Sequence, residues 1–183
     1  MLLYHGTPGP MGQKIITERV IKNNCDRFWN GSIQAVGEKI DISTTDGFAY
    51  FSNKISMAYF YGNVNRMKCK EETSLLYVFR VNIPEEELLP DRDELRINCK
   101  QRVRNDITAE QSLSMCSCVS VDHPISADKY NMEYMEINMQ DYSSEIIRKF
   151  RILCQEYRGR MEPDPEDLVN EIGDMGKWNR QKM

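Results

Sequence analysis

The chain has 183 residues, 40% of them hydrophobic and 28% charged. That balance predicts one globular core, with or without an appendage, and excludes a wholly disordered, collagen-like or fibrous chain. The 24 Lys and Arg against 28 Asp and Glu give a net charge of −4, without the basic surplus of a protein that holds nucleic acid by its phosphates. No apolar run reaches the roughly 20 residues of a membrane span. Met1-Leu2-Leu3-Tyr4 meets His5-Gly6 too soon for a signal-peptide core. The expectation is a soluble, cytoplasmic protein with no membrane partner.

Taken in chain order, Leu2–His5 reads as a short strand stopped by Gly6-Thr7-Pro8-Gly9-Pro10. Residues Gly12 to Asn24 read as a helix, with Ile15, Ile16 and Val20 on one stripe. Cys25 to Asp46 is mixed and polar, a long connection. The aromatics of Gly47–Ser52 predict a strand. Ser52 or Asn53 then caps a helix over Lys54–Tyr61, ended by Gly62. Leu75–Ile83 is the strongest strand pattern and stops at Pro84. If the strand period holds at Arg96, Lys100, Arg102 and Arg104, the four bases share a face; a solvated edge is the alternative.

Met132–Met139 alternates as a further strand. Ser143 or Ser144 opens a helix with Ile146, Ile147, Phe150, Leu153, Cys154 and Tyr157 on one stripe, and Asp164-Pro165 opens a shorter helix to about Ile172. The tail from Gly173 is expected to fray. Strands before Met139 and helices after it predict an α+β class.

The six cysteines are scattered and read as free thiols. Cys116, Cys118 and His123 complete no set of four ligands, so no metal site is expected. His123 reads as a loop residue. His5 ends a strand, and Gly6 after it leaves room for a ligand to approach the backbone. With Thr7 it can hydrogen-bond such a ligand; a structural histidine is the other reading. Tyr50 and Tyr61, eleven residues apart on a strand-turn-helix, can face each other around a flat ligand or fill a core. Glu133, in Tyr130-Asn131-Met132-Glu133-Tyr134, is a carboxylate among apolar and aromatic neighbours, costly unless paired. It could equally face water on an edge strand.

In this order the three blocks resemble the ADP-ribosyltransferases of the diphtheria-toxin and poly(ADP-ribose)-polymerase branch, whose motif is a His, a Tyr and a Glu on three strands. The resemblance spans Leu2 to Met139. It implies a split antiparallel β-sheet core with flanking helices over residues 1–142; beyond the family's pattern, the helices of residues 143–183 read as a C-terminal extension packed on that core, with docking of a partner such as an antitoxin as the alternative. It implies NAD as substrate, with His5 on the adenosine ribose and the Gly6 backbone on the carboxamide. Thr7 would lie beside them, Tyr50 and Tyr61 would sandwich the nicotinamide, and Ser52 would lie near its amide. Glu133 would stabilise the positive charge that develops as nicotinamide leaves.

The implied reaction is mono-ADP-ribosylation of a macromolecular acceptor, protein or nucleic acid. Compact enzymes resembling this one are often toxins of toxin–antitoxin or antiphage systems, which implies an antitoxin or regulatory partner. Glu136 and the run Asp91-Arg92-Asp93-Glu94 are alternative sources of the carboxylate. An RNA 2′-phosphotransferase and an inactive NAD- or ADP-ribose-binding module are the rival functions.

Overall fold

The computed structural model describes residues 1–23, 32–35, 38–41, 46–69, 72–97 and 106–180. Its elements in chain order begin with β1 (Leu2–Pro8), α1 (Gly9–Glu18), β2 (Val20–Ile21), β3 (Ser32–Ala35), β4 (Glu38–Asp41), β5 (Ala49–Ser52) and α2 (Ile55–Lys68). Then come β6 (Leu75–Asn82), a 3-10 turn at Glu85–Glu87, β7 (Leu89–Pro90), α3 (Arg92–Ile97), α4 (Ala109–Cys116) and β8 (Cys118–Val121). The chain closes with β9 (Ile125–Ser126), β10 (Met132–Asn138), α5 (Glu145–Glu156), α6 (Glu166–Gly176) and β11 (Asn179–Arg180). The class is α+β.

Seven strands form one sheet in the order β11-β10-β6-β1-β5-β8-β7, each neighbouring pair antiparallel. Two further ribbons pair β2 with β9 and β3 with β4. Strand alternation sends successive side chains to opposite faces. Leu3, Phe51, Phe79, Val119 and Met132 enter a core with Ile15 of α1 on one face. Tyr4, Leu76, Val78, Met135 and Ile137 enter a second core on the other, under Ala58 of α2, Phe150 of α5 and Ile172 of α6.

Several local expectations are corrected. The first strand runs through its breakers to Pro8, and α1 starts at Gly9 instead of Gly12. Pro10 falls in its first turn, where a missing N–H costs nothing. Arg19, left-handed at φ 59°, ends the helix, and Val20–Ile21 pairs with β9. Within the supposed connection Cys25–Asp46, Ser32–Ala35 pairs with Glu38–Asp41.

Gly62 does not end α2, which runs on to Lys68. A Cβ there would lie 2.9 Å from Gly6 C and Thr7 N, so this glycine serves close packing rather than termination. The N-cap is Lys54, not Ser52 or Asn53. Arg96 sits on helix α3, not a strand; Lys100, Arg102 and Arg104 lie outside the described residues. The tail does not fray at Gly173: α6 continues to Gly176, and Asn179–Arg180 adds a strand beside β10.

The C-terminal helices are fastened to the front of α2. Asp164, from the α5–α6 connection, accepts from Ser56 N at 2.8 Å and Ser56 Oγ at 2.7 Å, doing for α2 what an N-cap side chain does. Lys54 is 1% exposed; its Nζ donates to Tyr157 O at 2.6 Å and Arg160 O at 3.0 Å and stands 3.9 Å from Asp164. Among the described residues, no helix is long and apolar enough to cross a membrane.

Candidate functional site

β1 is the middle strand. It pairs with β6 along its whole length, Leu2↔Asn82 to Pro8↔Leu76, yet meets β5 at the single pair Tyr4↔Ser52. Past that pair the ladder stops and a side chain takes over. His5 Nδ1 lies 2.9 Å from Tyr50 O, and its ring rests on Phe51 with centroids 5.6 Å apart. A carbonyl can only accept, so Nδ1 carries the proton. Burial pushes the imidazole pKa below its ordinary value. His5 is therefore neutral at pH 7, and Nε2 is left as an acceptor.

Gly6 follows, level with Tyr50 by the antiparallel register. Here α2 crosses β1 at backbone contact: a Cβ on Gly6 would fall 1.7 Å from Ala58 O and 3.2 Å from Gly62 N. Tyr61 immediately precedes Gly62, so Tyr50 and Tyr61 reach the same crossing from β5 and α2.

Their hydroxyls run on to α3. Tyr50 OH donates to Asp93 Oδ2 at 2.6 Å, and Tyr61 OH donates to Glu94 Oε2. Asp91, Asp93 and Glu94 are 5%, 7% and 8% exposed. Asp91 Oδ1 accepts from Glu94 N at 2.8 Å, while Asp91 N takes Ser112 Oγ at 3.0 Å. Burial drives the Asp91 carboxyl pKa well up, against the lowering effect of that backbone hydrogen bond. Burial and then the Glu94 charge push the Tyr61 phenol pKa far up, keeping it a donor.

Glu133 is placed elsewhere. It is level with Arg80, which is level with Tyr4, which is level with Ser52. Three strand spacings of about 4.8 Å thus put β10 roughly 14 Å from β5. Its carboxylate takes Arg80 Nη2 and Arg80 Nε at 2.6 Å and Arg180 Nε at 3.0 Å. Desolvation raises its pKa, but the two arginines outweigh it and hold the carboxyl below its usual value. It shares the face of Met135, opposite to His5. Glu136 shares the His5 face but accepts the Tyr77 hydroxyl.

Ser52 Oγ donates to Ser117 O at 2.7 Å and accepts from Lys54 N at 3.0 Å, so it serves the backbone. Thr7 is buried. His123 lies between β8 and β9, with Nε2 3.0 Å from Glu87 Oε2.

The structure thus joins Tyr50 to Asp93, Tyr61 to Glu94 and His5 to the Tyr50 backbone, and leaves Glu133 apart. The sequence reading held the acidic run only as an alternative. Its signal was Asp91-x-x-Glu94 after Pro90, an N-terminal pattern that caps a short helix and buries its acids. Among the described residues, no group of three or more His, Cys, Asp or Glu is placed to hold a metal ion. No protein family, no curated protein and no solved structure matches this chain.

Proposed function

We propose that the protein is an NAD-dependent mono-ADP-ribosyltransferase that works at the β1–β5–α2 crossing, with the carboxylate drawn from Asp93 and Glu94 instead of Glu133. The observation that carries this reading is His5. It is a neutral imidazole whose Nδ1 proton is committed to Tyr50 O, which leaves Nε2 as its acceptor at the point where the β1–β5 ladder stops. An acceptor fixed in this way suits a ribose hydroxyl, which must donate. Two phenols that both reach α3 offer ring surface to a flat leaving group.

In the reaction the bond from ribose C1′ to the nicotinamide nitrogen breaks and its electron pair leaves with nicotinamide. The acceptor's nucleophile bonds to C1′, and its proton passes to a carboxylate or to water. Positive charge develops on the sugar meanwhile, and a buried anion stabilises it more than a solvated one does. Asp93 and Glu94 are the buried carboxyl groups that the two tyrosines reach. The phenols that hydrogen-bond them fix their orientation.

The test is NAD labelled on its adenylate phosphate, incubated with cell lysate and the purified protein, with label followed into protein and nucleic acid separately. Label transferred by the wild type and by Glu133→Gln, and lost in Glu94→Gln and Asp93→Asn, is the expected result. NAD binding without transfer in any of them would overturn the enzyme in favour of a binding module. Loss with Glu133→Gln alone would return the carboxylate to β10.

A further inference from the structure

A second cleft lies between α2 and α5, with a volume of about 290 Å³. Its floor includes Tyr59, stacked on Phe150 with centroids 4.3 Å apart and planes within 5°. Its walls carry Phe60 and Tyr142, the latter 73% exposed. Arginines gather at these rings: Arg158 stands 3.6 Å above Phe60 and Arg151 5.8 Å from Tyr142. Arg66 lines the far end. Its Nε and Nη1 are held by Asn63 Oδ1 at 3.1 Å and Thr73 O at 3.0 Å, which sets the guanidinium plane and leaves Nη2 uncommitted.

No carboxylate lines the cleft. Among the described residues, Arg66, Arg151 and Arg158 have no acidic partner, although acids outnumber bases in the chain. Guanidinium groups next to exposed aromatic rings offer two complements in one space. The planar forks match a phosphate bidentately, and the rings give a stacking surface to a heterocycle. Asn63 and Gln155 add amides that can meet a base edge. The volume suits one nucleotide, not two.

We infer that this cleft binds a single nucleotide unit, phosphate toward Arg66 and the base against Tyr142 or Phe60. The unit is either free or part of a single strand. The inference does not depend on the transferase reading, because His5 is on another element and faces the other core. Phe60 does touch Tyr61, edge to face at 5.2 Å, so an occupant of the cleft lies one residue from the candidate site.

The test is calorimetric titration of the whole chain with AMP, UMP, inorganic phosphate and a short single-stranded oligonucleotide. It is run on wild type, Arg151→Ala, Arg158→Ala, His5→Ala and Arg148→Ala, with thermal melts to confirm folding. Arg148 is the control on the same helix, paired with Glu145. Saturable AMP binding, weakened about tenfold or more by each of Arg151→Ala and Arg158→Ala and unchanged by Arg148→Ala, is expected for charge-assisted contacts. Tighter binding of the oligonucleotide than of AMP assigns the unit to a strand; equal or weaker binding assigns it to a free nucleotide. Absence of saturable binding, or binding lost with His5→Ala and kept in the arginine variants, overturns the inference.

Discussion

The imidazole of His5 reaches across from β1 to the backbone oxygen of Tyr50 at 2.9 Å, bridging the two strands just beyond their one ladder pair. The bond fixes the tautomer, the ring plane and the separation of the strands together. His5→Ala removes both the bridge and the free acceptor. On the proposed function, NAD affinity should fall about tenfold or more, as expected for a lost hydrogen bond in a dry site, while His5→Gln keeps part of it. Equilibrium titration with NAD checks this; equal affinity for all three proteins would remove His5 from the site.

The same residue sets an acid limit. Its folded pKa lies below the ordinary 6.5, so as pH falls through that value the unfolded chain takes up a proton that the folded chain refuses. Stability then declines with acidity. Melting at pH 7.5 and 5.5 should show a larger loss for the wild type than for His5→Gln.

Asp91 works in the opposite sense. Its folded pKa is raised by burial, so the stability it contributes is full at low pH and is lost as pH rises through the folded value. Asp91→Asn keeps an oxygen for Glu94 N and has no proton to lose. The variant should equal or exceed the wild type in stability at pH 7.5 and lose that advantage near pH 4. Denaturant unfolding at both values is the measurement.

At the crossing of α2 over β1, Gly6→Ala sets a methyl against a carbonyl oxygen that cannot rotate away. A cost of roughly 3 kcal/mol or more is expected from overpacking against backbone, with the melting temperature falling by about 10 °C or more. An unchanged melt would mean that the helix stands off the strand.

Asp164→Ala should cost about 1–2 kcal/mol for the lost cap of α2, plus the loss of the carboxylate nearest buried Lys54. The double variant with Lys54→Met should be less damaging than the two costs added, since the lone buried charge is removed as well. Chemical denaturation of the four proteins in the cycle measures the coupling.

Much of the framework was legible in local pattern. Leu75–Ile83 is a strand because β-branched, aromatic and leucine side chains fill both of its faces, and α5 is a helix because Ile147, Phe150 and Leu153 repeat at its period. The strand order was not legible. Nothing in Met132–Met139 says that β6 lies between it and β1, and that placement is what pairs Glu133 with Arg80 and carries it away from the tyrosines. Gly62 carried a second ambiguity: glycine ends helices and also permits contact, and only its tertiary partner Gly6 decides which. Short elements such as β7 and α3 have too few residues to show a period, so the acids they place in the site could be named but not positioned.

A strand made before both of its neighbours and seated in the middle of the sheet has a cost in time. β1 meets β6 across the register Tyr4↔Arg80, and β5 does not pair with β8 until Cys118 and beyond have been made. Leu3 and Tyr4 therefore wait uncovered until the strands and helices that pack on them have been made. Such non-local pairing is of the kind that slows folding. The Arg180–Glu133 ion pair likewise joins β10 to a strand made only after α5 and α6.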